Sequence, residues 1–424
     1  MYTVFNLFVA VVALSATVRP APAEVLTRSG AVQIALDNNP RVTAGLEAWN
    51  AAKARRLVAL ALEDPELEIE FEELPGVFDT GQFGERNIGI TQRIESPLKW
   101  WFRQRAFGQE AESVRYSALE ATRLEVATRA KVLFDRLLAD QEMLAASEDN
   151  LRLTRDFARK TRIRFESGDV SRLEPMRADV QVGLAETQLA DAEARFAISK
   201  ASLNTVLGRD ASIPVEIIGE LSLASETFDL EALKTLAMAR RPDLLGGRQS
   251  LMSARSSQSG AVASLVPDLS LSISRQTVAG ANSRSSFWRT TFGIEIPVWA
   301  LFRQRGEISG AAAEVRQAEA ENKDIRQNAM LEVESRFASL TAARKKAELF
   351  QTGILKLAEA AHEATSESYR QGKATYLDLL EAQRTLTETR IANFESIFDY
   401  RRALAELEQA TGGSLGEAPQ MNTR

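Results

Sequence analysis

Pro297-Val298-Trp299-Ala300-Leu301-Phe302-Arg303-Gln304-Arg305 is the stretch that decides how this chain is read, because Pro97-Leu98-Lys99-Trp100-Trp101-Phe102-Arg103-Gln104-Arg105 stands 200 residues before it. In each copy a proline closes an alternating apolar/polar run and is followed by a long alanine-rich, charged segment. Both read as the point where a strand ends and a long helix begins. A chain that makes this junction twice reads as an internal duplication.

Further anchors repeat outward from the junction. Ala35 to Pro40 recurs as Ala237 to Pro242, and Pro65 with Leu67 and Ile69 recurs as Pro267 with Leu269 and Leu271, each 202 residues on. Gly168 pairs with Gly372 and Gly208 with Gly412, each 204 residues on. The anchors keep their order, so the chain divides into repeats at 24–228 and 229–424, with 1–23 as a leader.

The first repeat predicts a helical segment from Ser29 to about Glu63, with Pro40 early in it. Strands follow within 65–96, matched by 267–296 in the second repeat. Leu67, Ile69 and Phe71 take one strand face, and Glu68, Glu70 and Glu72 the other, as a period of two requires. From Leu98 to about Phe165 there is no proline, which predicts one helix on the order of 100 Å long. Ser167-Gly168-Asp169 is a turn, and a second helix runs from about Leu173 to Leu207. Residues 209–228 read as an irregular connection with a short strand. In the second repeat, Val333, Leu340, Ala347, Ile354 and Ala361 lie seven apart, with Ala343, Phe350, Leu357 and Ala364 beside them. Such a seam predicts coiled-coil packing into a tube or bundle, with a solvent-exposed rod as the alternative.

Composition narrows the function classes. A 45% hydrophobic and 26% charged chain can form an ordered core, and its net charge of −6 argues against a nucleic-acid partner. The absence of cysteine excludes disulfides, thiolate metal sites and an N-terminal lipidated cysteine. The apolar run Val4–Leu14 followed by Ala21-Pro22-Ala23 predicts a signal peptide cleaved before Glu24; an N-terminal anchor is the alternative. No later run of about 18 apolar residues predicts a membrane helix, so any crossing of a membrane is by strands. The sequence has no nucleophile elbow, phosphate loop or HExxH pair, and no enzymatic activity, cofactor or metal is expected. His362 is the only histidine and is expected to pack or be solvated.

Two strand pairs give four strands, too few to enclose a pore, and transmembrane barrels begin at about eight. Closure therefore needs other copies. Trp100, Trp101, Trp288 and Trp299 fall at predicted strand ends, where indoles would mark a bilayer interface or else cap a soluble sheet.

The duplicated helix–strand–strand–helix–turn–helix order, Asn39-Pro40, Arg241-Pro242-Asp243, the proline junctions and the Gly372 turn resemble the outer membrane efflux family typified by TolC. Ile294 to Ile308 with Ala311 to Ala320 is most similar to its CzcC-like branch, associated with heavy-metal export. The resemblance covers nearly all of the mature chain. It implies a mainly α protein with a small β part, forming a homotrimer in the outer membrane of a Gram-negative bacterium. Twelve strands would make a barrel, continued by a periplasmic helical coiled-coil tunnel. The implied partners are outer membrane lipid, a periplasmic adaptor and an inner-membrane pump of the RND type. The implied function is a passive efflux conduit for metal cations or small molecules. A soluble periplasmic adaptor or rod, and the channel of a type I protein secretion system, are the alternatives.

The stretch Tyr369 to Ala382 is similar to the family's periplasmic tip. Gly372 supplies the turn, and Asp378 and Glu381, three apart, share a helix face. Around a threefold axis they would form a ring of carboxylates that raise each other's pKa and favour cations. Ordinary solvated helix charge is the alternative. The resemblance also implies that Tyr369 helps hold a gate shut. The family's basic tip residue aligns with Ala374, leaving Lys373 or Arg370 to serve. Gly168, Asp169, Arg172 and Lys373 are candidate adaptor or pump contacts, and Glu68, Glu70 and Glu72 are candidates to face a barrel lumen.

Overall fold

A computed structural model describes residues 25–223, 227–280, 283–300 and 302–415; the signal peptide expected at 1–23 lies outside them. A short strand, β1 (Val25–Leu26), leads to α1 (Arg28–Asn38) and α2 (Pro40–Leu60). The single helical segment expected from Ser29 is thus two helices, because a proline disfavours helical backbone in the residue before it. Asn39 sits in that break with ψ 125°. Its Oδ1 accepts from Arg41 N at 2.9 Å to cap α2, and its Nδ2 donates to Val206 O at 2.8 Å. The second repeat makes the same break between α6 (Leu230–Arg240) and α7 (Pro242–Ala263). There the Arg241 guanidinium reaches Ala410 O at 2.9 Å, so a different side chain ties the matching corner.

The strands β2 (Glu66–Glu72), β3 (Glu85–Ile94), β5 (Asp268–Ala279) and β6 (Arg284–Glu295) form one antiparallel sheet in the order β2-β3-β5-β6. A separate parallel pair joins β1 to β4 (Glu216–Ile217), the short strand expected between the repeats. Residues opposite one another share a face, so the register sorts the large sheet. Leu67 lies opposite Ile90 and Ile69 opposite Ile88, while Ile90 meets Ile273 and Leu269 meets Ile294. That face is apolar and uncovered: Leu67 is 69% exposed, Phe292 81% and Trp288 71%. The other face is polar, with Glu70 opposite Asn87, Asn87 opposite Gln276 and Ser274 opposite Arg289. Trp288 is not at a strand end as expected; it is mid-strand on β6, opposite Arg275 on the apolar face.

Pro97 stands at the first position of α3 (Pro97–Val114), as the first junction predicts. The second junction differs. Residues 297–300 form a turn, and α8 (Arg303–Leu349) begins only at Arg303. Pro297 ends the strand without starting the helix. One cross-repeat tie anchors the first junction: Lys99 Nζ lies 2.7 Å from Asp268 Oδ2, and Ser96 N donates to Asp268 Oδ1 at 2.9 Å. The four helices adjoining the sheet pack as α2-α3-α7-α8, the same order as the strands they serve.

The long helices are interrupted by π turns. Arg115–Glu120 separates α3 from α4 (Ala121–Glu166), and Phe350–Ile354 separates α8 from α9 (Leu355–Arg370). They fall at unrelated places in the two repeats. The first lies against Gly45 of α2, where a Cβ would come 2.5 Å from Ala118 O. The second corrects the expected seam. Val333, Leu340 and Ala347 are buried, but Ile354 is 43% and Leu357 72% exposed, while Ala358 takes the buried place. A wide turn rotates everything after it, so a strict seven-residue repeat cannot continue through it.

Below the π turns, α5 (Leu173–Val206) lies on α4, and α10 (Tyr376–Ala410) lies on α4, α8 and α9. All four glycines used as anchors end a helix in left-handed backbone: Gly168 at φ 81°, Gly208 at 71°, Gly372 at 71° and Gly412 at 89°. In each case the next amide bonds back across the last turn, as Asp169 N does to Arg164 O at 2.8 Å and Lys373 N to Ser368 O at 2.8 Å. The cores also match. Ala35, Ala130, Leu137 and Leu203 are buried in one cluster, and Ala237, Val333, Leu340 and Leu407 in the other. The duplication is therefore a repeat of packing as well as of sequence.

Candidate functional site

The end farthest from the sheet is built by two helical hairpins, α4–α5 and α9–α10, turning at Gly168 and Gly372. Their contact is an aromatic cluster. Phe157 of α4 stacks on Tyr376 of α10 with ring centroids 4.7 Å apart and planes within 8°. Phe157 also meets Tyr369 of α9 at 5.8 Å, and Ala158 and Ala178 close the cluster from the first hairpin. Tyr376 is 5% exposed, its hydroxyl has no hydrogen-bond partner among the described residues, and burial pushes its pKa up to about 12. Tyr369 is held from the first repeat. Arg164 donates to its hydroxyl at 2.9 Å, with the guanidinium carbon 5.8 Å from the ring centroid.

Arg164 and Phe157 are the residues sequence reasoning missed. The expectation placed the basic partner of Tyr369 at Lys373 or Arg370, but Lys373 bonds Gln371 and Arg370 pairs with Glu367. The partner lies 205 residues away and carried no local signal. Gly168, Asp169, Arg172, Gly372 and Lys373 are all exposed at the two turns, so the candidate contact residues do share one end of the molecule.

Asp378 and Glu381 are both exposed on α10. Within one chain, however, Asp378 has a structural task. Thr375 caps α10, and Asp378 accepts from Thr375 N at 2.8 Å and from its hydroxyl at 2.7 Å, a reciprocal capping box. Those bonds hold the Asp378 carboxyl below its usual range, the opposite of the upward shift expected for two crowded carboxylates. Glu388, hydrogen-bonded to Arg384, raises that arginine's pKa, and the nearby Glu381 carboxylate adds to the shift. The expected mutual elevation needs other copies of the chain and is not present in one.

The expected lumen residues are brought together at the other end. Glu70 and Glu72 share the polar sheet face with Glu85, Asn87, Gln276 and Arg289. Gln276 donates to Glu85 at 2.7 Å and accepts from Arg289. Glu68 lies opposite Gly89 on the same face. Of the four tryptophans expected at an interface, Trp101, Trp288 and Trp299 are exposed, whereas Trp100 is half-buried and donates its indole N–H to Leu60 O at 3.2 Å. His362 is half-buried, and burial, with Arg390 nearby, lowers its pKa. No cluster of possible metal ligands occurs among the described residues.

A family model described as outer membrane efflux protein matches residues 233–413, the second repeat from α6 to the end of α10. The cobalt-zinc-cadmium resistance protein CzcC of Cupriavidus metallidurans is 24% identical over 374 residues, covering 86% of this chain and 85% of that one. The second repeat of this chain is thus similar to the outer membrane efflux proteins. Nodulation protein T of Rhizobium leguminosarum bv. trifolii is 25% identical over 279 residues. That match covers 64% of this chain and 60% of the relative, so the chain spans less than two thirds of that protein's length. Among solved structures, CusC superposes with a TM-score of 0.77 at 19% identity, covering 91% of this chain and 92% of that one. The mainly helical fold with a small sheet is thus the fold of these channel proteins.

Proposed function

We propose that this protein is the outer-membrane channel of a tripartite efflux system, a passive conduit that works with a periplasmic adaptor and an inner-membrane pump. The observation that carries the reading is the four-stranded sheet. Among the described residues its apolar face is uncovered, its opposite face is polar, and its edge strands β2 and β6 have no outer partner. In lipid, an open edge leaves backbone groups unsatisfied, each costing several kcal/mol. Three copies pairing β2 to β6 make a closed barrel of 12 strands, with Glu68, Glu70 and Glu72 lining its lumen. The helix order repeats the strand order, so the same closure continues the wall as a helical tunnel toward the periplasm. A soluble rod leaves the apolar sheet face with nothing to cover it.

The tip is the gate. In a threefold assembly, Asp378 and Glu381 from each copy place six carboxylates around one constriction, which favours cations. The match to CzcC, whose name is that of a cobalt-zinc-cadmium resistance protein, supports metal cations as cargo. The purified mature chain should require detergent, migrate as a trimer and conduct ions in planar bilayers. Asp378→Asn with Glu381→Gln should move the reversal potential toward non-selective conduction. A monomeric, detergent-independent protein would defeat the channel, and an unchanged reversal potential would defeat the carboxylate ring.

A further inference from the structure

Just beyond the sheet, on the side of the helices, each junction presents exposed apolar residues followed by an arginine, on a helix face in the first repeat and through a turn in the second. On α3, Leu98, Trp101 and Arg105 fall on one exposed face, three and four residues apart. Leu98 and Trp101 are each 47% exposed, and the Arg105 guanidinium lies 5.4 Å from the Trp101 ring centroid. In the second repeat, Trp299 is 71% and Phe302 77% exposed, followed by exposed Arg305. Arg105 and Arg305 are repeat equivalents, 200 residues apart.

The charges around them separate these two arginines from their neighbours. Lys99 is paired with Asp268, Arg103 with Glu95, Arg303 with Glu307 and Arg93 with Glu295. Neither Arg105 nor Arg305 has a carboxylate partner among the described residues. Arg105 lies against the exposed Trp101 ring, and Arg305 follows two exposed aromatic residues along the chain.

Depth then selects the occupant. Leu98 follows directly on the apolar sheet face, whose last β3 residue is Ile94. Arg105 is seven residues further, about 10 Å along the helix axis. The polar layer of each leaflet is roughly 5–7 Å thick. Side chains tilt toward a helix N-terminus, which here points to the membrane, so the guanidinium reaches back toward the headgroups. The observed stacking of Arg105 on Trp101 shows that direction. From hydrocarbon outward, the stripe therefore reads apolar, amphipathic, cationic.

We propose that the Leu98–Trp101–Arg105 and Trp299–Phe302–Arg305 stripes form a collar that binds the anionic headgroups of phospholipid in the periplasmic leaflet of the outer membrane. The collar rests on the channel reading above, and adds to it a preference for lipid charge. In a trimer it supplies six arginines at the level of the lipid phosphates.

The test uses the trimer in mixed micelles containing equal phosphatidylglycerol and phosphatidylcholine, with co-purified lipid counted by native mass spectrometry. Wild type should retain phosphatidylglycerol in excess. Arg105→Gln or Arg305→Gln should each cut that excess by about fivefold, the effect of one basic residue near a membrane surface. The double variant should lose the excess while its conductance is unchanged. Wild-type excess should also shrink as salt rises through 0.5 M, whatever the variants do. Inorganic phosphate at matched charge should leave the excess in place; displacement by phosphate would mean a free-anion site and overturn the lipid assignment. A trimer that inserts and conducts but shows no lipid preference overturns the collar alone. A chain that never enters the bilayer overturns the collar and the channel together.

Discussion

Replacing Arg164 by Gln and Tyr369 by Phe in every copy should unlatch the tip without unfolding it. The Arg164 guanidinium donates to the Tyr369 hydroxyl at 2.9 Å and lies 5.8 Å from its ring centroid, in an exposed setting. Exposure puts the hydrogen bond at the low end, about 0.5 kcal/mol. An exposed cation–π contact adds about 0.5 kcal/mol. Each copy thus contributes about 1 kcal/mol, and three copies opening together about 3 kcal/mol, a shift of roughly 150-fold in the closed-to-open ratio. The Phe157–Tyr376 stack is untouched, so the hairpins stay packed. Single-channel records in planar bilayers read the ratio directly. Arg164→Gln alone should give most of the effect, and adding Tyr369→Phe little more, because both remove the same contact. A ratio within threefold of wild type in the double variant would refute the latch.

Three further outcomes are expected. Asp135 is fully buried between Arg28 of α1 and Arg401 of α10, so Asp135→Ala strands two cations and should cost about 3 kcal/mol in thermal unfolding of the trimer. Phe292→Arg, on the apolar sheet face, should cost about 2–4 kcal/mol in bilayer-coupled unfolding, whereas Thr291→Arg on the polar face should be tolerated. Thr375→Ala should cost about 1 kcal/mol locally, read as faster amide exchange in the first turn of α10. Because Thr375 holds Asp378 below the usual carboxylate range, that carboxylate's contribution is complete above about pH 4 and is lost as pH falls through the lowered value.

The repeat, the strand pairs, the long helices and their glycine turns were legible because each rests on local chemistry: alternation, proline geometry and left-handed backbone. The failures share a cause too. The seam ran on through Ile354 because a π turn leaves no mark in a seven-residue pattern. Pro297 looked like Pro97, but the helix after it starts at Arg303 and no local residue announces the delay. The polar face of the sheet was readable from Glu68, Glu70 and Glu72, since alternation fixes faces. The partner of Tyr369 was not, since Arg164 meets it only through packing of hairpins from different repeats. Asp378 was legible as an exposed helix charge, and its capping role was available three residues away at Thr375.

The unequal placement of the π turns has a geometric consequence. In the proposed trimer, the two matched cores of each copy would give six similar units at one level, a pseudo-sixfold ring. The first repeat spends its extra turn at 115–120, close to the sheet, and the second at 350–354, farther along toward the tip. By the time the hairpins end, the six units have become two alternating kinds, one carrying Arg164 and the other Tyr369 and the Asp378 cap. A partner offering six copies of one element would find two inequivalent seats, and could be recruited or released at one set while remaining docked at the other.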